Sequence, residues 1–195
     1  MRSFAYLLIL TLGLSSCKDS EPGPKTFAAA DIYLVNTEDG NIYEKGEWTG
    51  NAQFIYQDGV TSLKVSLSGM EPNTSHAMHL HDGTLEEPGR HWNQGKFVAF
   101  CKELSLGEVW AKTFAGDIGN IEIDGDGNGT FIIKTDLWSL GTEDDKDIAG
   151  TILFVHEKFE DFANECDPGH SHPPHGHINP KIAGGTVILD AQLLE

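Results

Sequence analysis

The sequence predicts an all-β protein, built as a β-sandwich or barrel, and three observations support this fold class. Its 195 residues include 22 glycines and 8 prolines, which separate many short runs rich in valine, isoleucine, threonine and phenylalanine. Apolar and polar residues alternate in SLKVSL (62–67) and NIEID (120–124), as expected where successive side chains point to opposite faces of a sheet. No segment has the period of an amphipathic helix.

Eight segments have strand character, and the length of the chain allows one good core. They are 31–37, 52–58, 61–70, 75–81, 120–125, 129–137, 149–157 and 184–193. Residues 82–117 and 157–182 interrupt this series and lack a strand pattern. Compact domains rarely keep loops of this length unless the loops have a function. The sequence therefore predicts about eight strands with two long functional loops.

The segment DGDGNG (124–129) resembles the start of a calcium-binding loop. The acidic residue that should close such a loop would fall at position 135, which is Thr135, and predicted strands rather than helices flank the segment. The segment is therefore predicted to be a hairpin turn made of residues that tolerate left-handed backbone.

The N-terminus is predicted to be a lipoprotein signal. Arg2 precedes an apolar run that is too short to span a bilayer, and the run ends in LSSC, which resembles a bacterial lipobox. This predicts a signal peptide over 1–16, then a lipidated Cys17 within a polar tether over 17–27, and a folded domain over 28–195. The protein would be an exported bacterial lipoprotein, anchored in a membrane and facing the periplasm or the cell surface.

The formal net charge of −17 argues against nucleic acid and anionic lipid surfaces as partners. The two cysteines of the predicted domain, Cys101 and Cys166, lie one in each long loop. In an exported protein such a pair is expected to form a disulfide. The sequence carries no sign of the oligomeric state.

The segment SHAMHLH (75–81) holds three histidines in a predicted strand. Residues two apart on a strand share a face, so His79 and His81 point the same way. Two imidazoles on one strand face make half of a metal site suited to copper or zinc.

Further histidines follow in recognisable motifs. HAMHLH, GRHWNQ with His91, GDIGNI with Asp117, and FVHEK with His156 occur in this order. Together they resemble the H-G-F-H-V-H, G-P-H-F-N-P, G-D-L-G-N and V-V-H-E-K motifs of the copper/zinc superoxide dismutase family, over about residues 28–195. The resemblance implies a Greek-key β-sandwich, or flattened barrel.

The resemblance also implies the roles of individual residues. Copper would be bound by His79, His81, His91 and His156. His91 would in addition bridge to zinc and carry a proton to the reaction, so it is a candidate catalytic residue. His76 would bind no metal and would brace the site by a hydrogen bond. Lys181 takes the place of the arginine that attracts superoxide in the family, and it is the second candidate catalytic residue. The family also ties its first long loop by a disulfide to the segment after this arginine, where this chain has Gly184 and no cysteine.

The zinc half of the family's site is incomplete in this sequence. At the positions of the family's two other zinc histidines the chain has Ala99 and Phe114. Only Asp117 remains, as a residual zinc ligand or as a hydrogen-bond acceptor for the distal nitrogen of His91. One carboxylate and one shared imidazole cannot close a four-ligand zinc site, so copper is the expected cofactor and zinc is doubtful.

The histidine-rich stretch CDPGHSHPPHGH leaves an alternative open. His170, His172, His175 and His177 could replace the lost zinc ligands as an auxiliary metal site. The other interpretation is an irregular loop that scavenges metal without fixed geometry, which the adjacent prolines favour.

The sequence therefore predicts an enzyme of the cell envelope that uses copper to convert superoxide to dioxygen and hydrogen peroxide. The alternative is a non-catalytic lipoprotein that binds or buffers copper on the same fold. A purely structural surface lipoprotein is a third hypothesis, and it leaves the convergence of four imidazoles without a purpose.

Overall fold

The computed structural model of the chain describes residues 21–38, 42–96, 114–160 and 179–190. Within these ranges the chain forms β1 (Thr26–Glu38), β2 (Ile42–Gln57), β3 (Val60–Leu67), β4 (Ser75–Gly83), β5 (Pro88–His91), β6 (Asp117–Glu122), β7 (Gly129–Thr135), β8 (Ile152–His156), β9 (Lys181–Thr186) and β10 (Ile188–Leu189). None of the described residues forms a helix long and apolar enough to cross a membrane.

The strands form one antiparallel sheet that curls into a half-barrel, which confirms the predicted all-β fold. Its main path runs β5-β4-β8-β9-β1-β2-β3-β7, while β6 pairs with β4 and β10 pairs with β1. The step from β3 to β4 crosses to the opposite end of this path, as in a Greek key. This crossover brings β4, β8 and β9 side by side, and these strands carry most of the predicted site.

The concave side of the sheet holds the core. In β3 the side chains of Thr61, Leu63, Val65 and Leu67 are buried, while those between them are partly or fully exposed. Neighbouring strands add the fully buried side chains of Phe54, Leu80, Ile121 and Leu153, and the segment between β7 and β8 adds those of Trp138, Leu140 and Ile148. Each large apolar side chain buried in this way contributes about 1.5–3 kcal/mol to folding.

Strands β4 and β8 are buried on both faces. On β4 every residue from His76 to His81 is buried, and on β8 so is every residue from Ile152 to His156. Their outer face has a small apolar cluster of its own, made of Val35, Leu85, Ile152 and Phe154. Polar side chains on this outer face are therefore shielded from water and must find partners within the protein.

The first predicted loop contains a strand that the sequence did not indicate. β5 lies within residues 82–117 and pairs with β4, with His81 opposite His91 and Gly83 opposite Pro88. Its four residues show no apolar alternation, because both of its faces are partly exposed. Short edge strands of this kind leave almost no periodic signal.

The segment 124–128 is a turn, as predicted. The Asp124 side-chain Oδ1 accepts hydrogen bonds from the backbone N–H groups of Asp126 and Asn128, at 2.9 Å each. Gly127 has a φ of 79°, in the left-handed region. The acidic side chain thus closes its own turn, and the turn connects β6 to β7.

Candidate metal centre

Strand register brings the predicted site residues together. His91 on β5 lies opposite His81 on β4, and Asp117 on β6 lies opposite His79. Strand β8 is the other neighbour of β4, and its last residue, His156, lies opposite Lys181 on β9. Side chains separated by many tens of residues in the sequence therefore project from one patch of the outer face.

Four histidines of this patch form a compact cluster. One nitrogen from each of His79, His81, His91 and His156 lies within 4.8 Å of all the others. Opposite nitrogens around one ion with metal–nitrogen bonds of about 2 Å would be about 4 Å apart. His79, His81 and His156 are almost fully buried, and His91 is partly buried. The cluster has the size of a single metal centre.

Two of the four rings are oriented by backbone carbonyls. The Nδ1–H group of His81 donates to the carbonyl oxygen of Gly89 at 3.0 Å, and that of His156 donates to the carbonyl oxygen of Asn179 at 2.9 Å. A carbonyl oxygen can only accept, so Nδ1 carries the proton in both rings. The lone pair of each neutral ring is then on Nε2.

The other two rings are oriented by carboxylates. The Nδ1–H group of His91 donates to Oδ1 of Asp117 at 3.0 Å. The Nε2–H group of His79 donates to Oε2 of Glu160. An ionised carboxylate also only accepts, which leaves the lone pair on Nε2 of His91 and on Nδ1 of His79. This is the pattern in which histidine ligands of metals are usually held.

This arrangement brings lone pairs together without protons between them. Nδ1 of His79 and Nε2 of His156 lie 3.2 Å apart, and by the assignment above neither nitrogen bears a proton. Nε2 of His81 is buried and has no hydrogen-bond partner among the described residues. Buried lone pairs that face one another are unfavourable unless a cation lies between them. The four-nitrogen donor set therefore fits a bound metal ion, of the kinds that imidazole prefers.

Burial keeps these imidazoles neutral. It lowers the pKa of His81 and of His156 far below the ordinary histidine value, because the cluster excludes the water that would solvate a cation. Neighbouring histidines lower both pKa values further, and so does the positive charge of Lys181. Neutral imidazole is the form that binds metal, so the site is prepared for a metal at any physiological pH.

His76 is buried beside the cluster but contributes no nitrogen to it. Its Nδ1–H group donates to the carbonyl oxygen of His156 at 2.8 Å, and its Nε2 lies 2.8 Å from Oγ1 of Thr74. Both ring nitrogens are thus engaged, and the ring ties the end of β8 to β4. Hydrogen bonds at both ring nitrogens are what the predicted bracing role of His76 requires, and that role stays a prediction.

The far side of His91 is different. The Asp117 carboxylate accepts from His91 through Oδ1 and from the backbone N–H of Phe114 through Oδ2, at 2.7 Å. The Phe114 ring meets the His91 ring edge-on, with 5.9 Å between ring centroids. Among the described residues, this side offers one carboxylate with both oxygens hydrogen-bonded, and that set does not fit a second metal ion.

A ring of backbone hydrogen bonds fixes the strands that carry His91 and Asp117. Leu80 N–H donates to Gly116 O at 2.8 Å, Gly116 N–H to Trp92 O at 3.0 Å, and Trp92 N–H to Leu80 O at 2.8 Å. A Cβ atom on Gly116 would lie 2.7 Å from the Trp92 oxygen, so only glycine fits. The indole N–H of Trp138 also donates to Ala115 O. The first long loop is thereby anchored at both of its described ends.

Lys181 lies at the rim of the cluster. It is partly buried, and its Nζ is 5.4 Å from the centroid of the Phe154 ring, which packs edge-on against His81. Burial lowers the pKa of Lys181 below the ordinary lysine value. Its positive charge also lowers the pKa of His81 and of His156, so the ammonium group lies near the cluster.

Several predicted residues lie outside the described part of the chain. They are Cys17, Ala99, Cys101, Cys166, His170, His172, His175 and His177. The resemblance would place a cysteine at Gly184, which is described. A Cβ atom there would lie 2.6 Å from Cδ1 of Phe154, so the aromatic ring fills the space that a cysteine would need.

Glu160, whose carboxylate accepts from Nε2–H of His79, was not predicted from the sequence. Its side chain is only 12% exposed and lies four residues after His156, in the segment VHEKFE. A carboxylate shortly after a predicted metal ligand was the available signal, but nothing distinguished Glu160 from Glu157 nearby. The structure distinguishes them, because Glu157 is exposed to solvent.

Comparisons with known proteins identify one family. The sequence profile of the family described as copper/zinc superoxide dismutase (SODC) matches residues 48–187. Two relatives from Aquifex aeolicus (strain VF5) are named superoxide dismutase Cu-Zn 1 and superoxide dismutase Cu-Zn 2. The first is 27% identical over 150 residues, which are 75% of this chain and 83% of the relative. The second is 26% identical over 162 residues, which are 81% and 85%.

Two solved structures show the same fold. A SOD-like protein from Bacillus subtilis superposes with a TM-score of 0.59 at 18% identity, and the match covers 81% of this chain and 96% of that one. The clock protein EA4 superposes with a TM-score of 0.59 at 23% identity, covering 86% of this chain and 97% of that one.

Proposed function

Because this chain belongs to the copper/zinc superoxide dismutase family, we propose that it is a copper-dependent superoxide dismutase of the bacterial cell envelope. It would convert superoxide to dioxygen and hydrogen peroxide. The observation that carries the proposal is the convergence of four imidazole lone pairs from His79, His81, His91 and His156, each ring held in one tautomer by an oxygen acceptor.

Copper, when bound by these four histidines, would supply the one-electron chemistry that the reaction needs, which zinc cannot supply because it has no redox states. The protein contributes a fixed donor set that is protected from water. His81 and His156 are held by backbone carbonyls, whereas His79 and His91 are held by carboxylates.

His91 is the residue best placed to move a proton. Uptake of a proton at its Nε2 would make the ring cationic, and the Asp117 carboxylate, 3.0 Å from Nδ1, would stabilise that charge. Asp117 is itself fixed by the backbone N–H of Phe114. The proposal therefore assigns His91 as the proton donor for peroxide formation and Asp117 as the residue that keeps it oriented.

Lys181 would draw superoxide to the centre. The chain as a whole carries a net charge of −17, which repels anions at long range. The partly buried Lys181 beside the histidines would attract superoxide at short range. Lysine is a point charge without the planar fork of arginine, and a small anion such as superoxide requires only the charge.

The sequence supports the cell-envelope part of the proposal. The apolar run followed by LSSC favours export and lipidation of Cys17, with residues 18–27 as a tether. Export would also favour a disulfide between Cys101 and Cys166. Incorporation of labelled fatty acid that is lost in Cys17→Ala tests the anchor, and non-reducing peptide mapping that finds both thiols free would reject the disulfide.

The experiment that tests the function combines metal analysis with an activity assay. Residues 18–195 are loaded with copper and zinc, and metal content is measured by mass spectrometry beside superoxide turnover. One copper, no zinc and clear turnover are expected. One copper without turnover would favour a copper-buffering lipoprotein on the same fold. Stoichiometric zinc would show that the histidine-rich stretch has rebuilt a second site.

A further inference from the structure

The chain that leads into β1 is held against the hairpin between β2 and β3. The backbone N–H of Gly23 donates to Oδ1 of Asp58, and its carbonyl oxygen accepts from Nε2 of Gln57, both at 2.9 Å. A Cβ atom on Gly23 would lie 2.7 Å from the same Asp58 oxygen, so the contact requires glycine. Two side chains thus bind both backbone groups of one residue, three positions before β1 begins.

This Gly23 clamp limits how far the domain can move from its proposed lipid anchor. Cys17 lies six residues before Gly23, and six residues of fully extended chain span at most about 21 Å. Pro22 and Pro24 restrict the backbone on either side of the clamp. An anchored domain would therefore be held close to the membrane at the β2–β3 hairpin.

The hairpin belongs to one end of the sheet, here named the tether end. Its last row of paired residues crosses four strands, β1, β2, β3 and β7, and consists of Thr26, Tyr56, Thr61 and Thr135. Strand β10 continues this end on the other side of β1, where Leu189 lies opposite Ala28. The Gly23 clamp thus fixes the start of the folded chain to the tether end.

Most of the exposed large apolar side chains in the described part of the chain lie at the tether end. Six of the eight are within three residues of its last row, counted along their own strand or, for β10, along β1; they are Ile55, Val60, Ile132, Leu137, Ile188 and Leu189. The other two lie elsewhere, Trp48 opposite Tyr33 and Phe159 three residues after His156. Such a concentration of exposed apolar side chains is typical of a surface that meets another surface.

The charges at the tether end favour neutral lipid over anionic lipid. Asp136 is exposed beside Leu137, and the exposed Asp58 carboxylate belongs to the Gly23 clamp. Together with the net charge of −17, these carboxylates would repel anionic headgroups. Apolar side chains that enter the headgroup region do not depend on lipid charge and add a second contact to a lipid anchor.

We propose that the tether end is a membrane-facing surface, whose exposed apolar side chains rest in the headgroup region of a neutral phospholipid bilayer that holds Cys17. The inference rests on the lipid anchor of the proposed function. The short chain between Cys17 and the Gly23 clamp selects this occupant, because it brings the tether end to the bilayer before any other part of the domain.

The metal centre would then face away from the bilayer. Strands β9 and β10 pair with β1 in one continuous register, with Lys181 at the start of β9 and Ile188 in β10. The seven residues between these two positions correspond to about 23 Å of extended strand. Lys181, at the rim of the centre, is therefore remote from the tether end, and superoxide would arrive from the aqueous side.

The test measures which side chains touch lipid in the lipidated full-length chain. A benzophenone amino acid is placed at the position of Leu137 or, as the matched control, of Trp48, which is similarly exposed (54% against 46%) but lies away from the tether end. Each protein is reconstituted into phosphatidylcholine vesicles with a trace of alkyne-tagged phospholipid and irradiated. Cross-linking to lipid should be about fivefold stronger from position 137 than from position 48.

The Gly23 clamp is tested in the same assay. Gln57→Ala combined with Asp58→Gly removes both hydrogen bonds to Gly23, whereas Asp58→Asn keeps an acceptor oxygen. Both replacements of Asp58 tolerate its left-handed backbone, which has a φ of 51°. The double variant should lower the ratio of the two cross-linking yields about two- to threefold, because a longer free tether lets the domain turn. Asp58→Asn should leave the ratio unchanged.

Equal cross-linking from positions 137 and 48, in a chain whose Cys17 carries fatty acid, would overturn the inference. Sedimentation velocity of residues 18–195 examines the other occupant, and a dimer that Leu137→Ser dissociates would assign the tether end to a second copy of the chain and also overturn it. Absence of fatty acid on Cys17, measured by mass spectrometry, would instead overturn the lipid anchor on which the inference rests.

Discussion

The two nitrogens of His91 face two different environments. On the Nε2 side, nitrogens of three other histidines lie within 4.8 Å. On the Nδ1 side, the described residues are Asp117, with both carboxylate oxygens hydrogen-bonded, and the ring of Phe114. On the Nε2 side, several nitrogen lone pairs point to a common position. On the Nδ1 side, a carboxylate accepts the Nδ1 proton of His91.

The difference shows what separates a metal site from a polar contact. A metal ion needs several donors whose protons have been directed elsewhere, and each of the four histidines has an oxygen acceptor for that purpose. Asp117 serves the same end from the opposite side, because it takes the Nδ1 proton of His91. Among the described residues, the far side of His91 thus supports the four-histidine cluster and offers one carboxylate, too few ligands for a second metal centre.

Removing one nitrogen from the cluster should have the largest effect. We expect His81→Ala to weaken copper binding by more than about 1,000-fold, because three donors remain and a buried polar surface loses its partner. Isothermal titration with a competing chelator measures this loss. Asp82→Asn is the control and should bind copper normally. Asp82 follows His81 in the sequence, but its carboxylate pairs with Arg90 at the solvent-exposed surface. Tight binding by His81→Ala would contradict the four-histidine centre.

A substitution of Asp117, on the Nδ1 side of His91, should also lower copper affinity, but by less than the loss of a histidine. Asp117→Asn replaces a charged acceptor by a neutral amide, so His91 loses part of its orientation and donor strength. We expect copper affinity to fall about 10- to 100-fold. Zinc content, measured in parallel, should not decrease, because Asp117 is assigned to His91 and not to a second metal. A selective loss of zinc would show that the far side is a metal site after all.

Acid should destabilise the metal-free protein through the cluster. Burial lowers the pKa of His81 and His156, whereas in the unfolded chain both titrate near pH 6.5. Below that pH the unfolded state binds protons that the folded state does not, so stability is retained above about pH 6.5 and lost as the pH falls. Each histidine should contribute up to about 1.4 kcal/mol per pH unit.

Urea unfolding of the metal-free protein between pH 7.5 and pH 5 measures this slope. A His81→Phe variant, which cannot take up a proton, should show a shallower dependence than the unmodified chain. Equal slopes for the two proteins would contradict the assignment of a low pKa to His81.

A substitution of Lys181, at the rim of the cluster, should have the smallest effect on copper binding and a larger effect on the rate of superoxide turnover. Lys181→Gln is expected to leave copper content unchanged and to lower kcat/KM for superoxide several-fold, with a weaker dependence on salt. Lys181→Arg keeps the charge and should retain the rate. Pulse radiolysis at several ionic strengths measures both. A rate in Lys181→Gln that equals the unmodified rate would show that this cation does not guide the substrate.

Parts of the fold and site followed directly from residue patterns. Alternation in β3 predicted which side chains enter the core, and the spacing of His79 and His81 predicted that they share a face. The strand β5 was missed because its four residues are partly exposed on both faces, which leaves no period to detect. The contact of Glu160 with His79 was not predicted because it depends on the path of the chain after β8. The side chains of Asn120 and Asn179 hold that path by hydrogen bonds to the backbone of Glu160 and Lys158.

The sequence by itself determined the composition of the candidate centre: four histidines in family order, an aspartate beyond His91, and a lysine where the family has arginine. Only the tertiary structure decided which nitrogen of each ring is available. The acceptors for His81 and His156 are main-chain carbonyls, which every residue possesses, and the acceptor for His79 lies 81 residues away in the sequence. Residue type states what a side chain can donate, but folding decides which oxygen lies beside it.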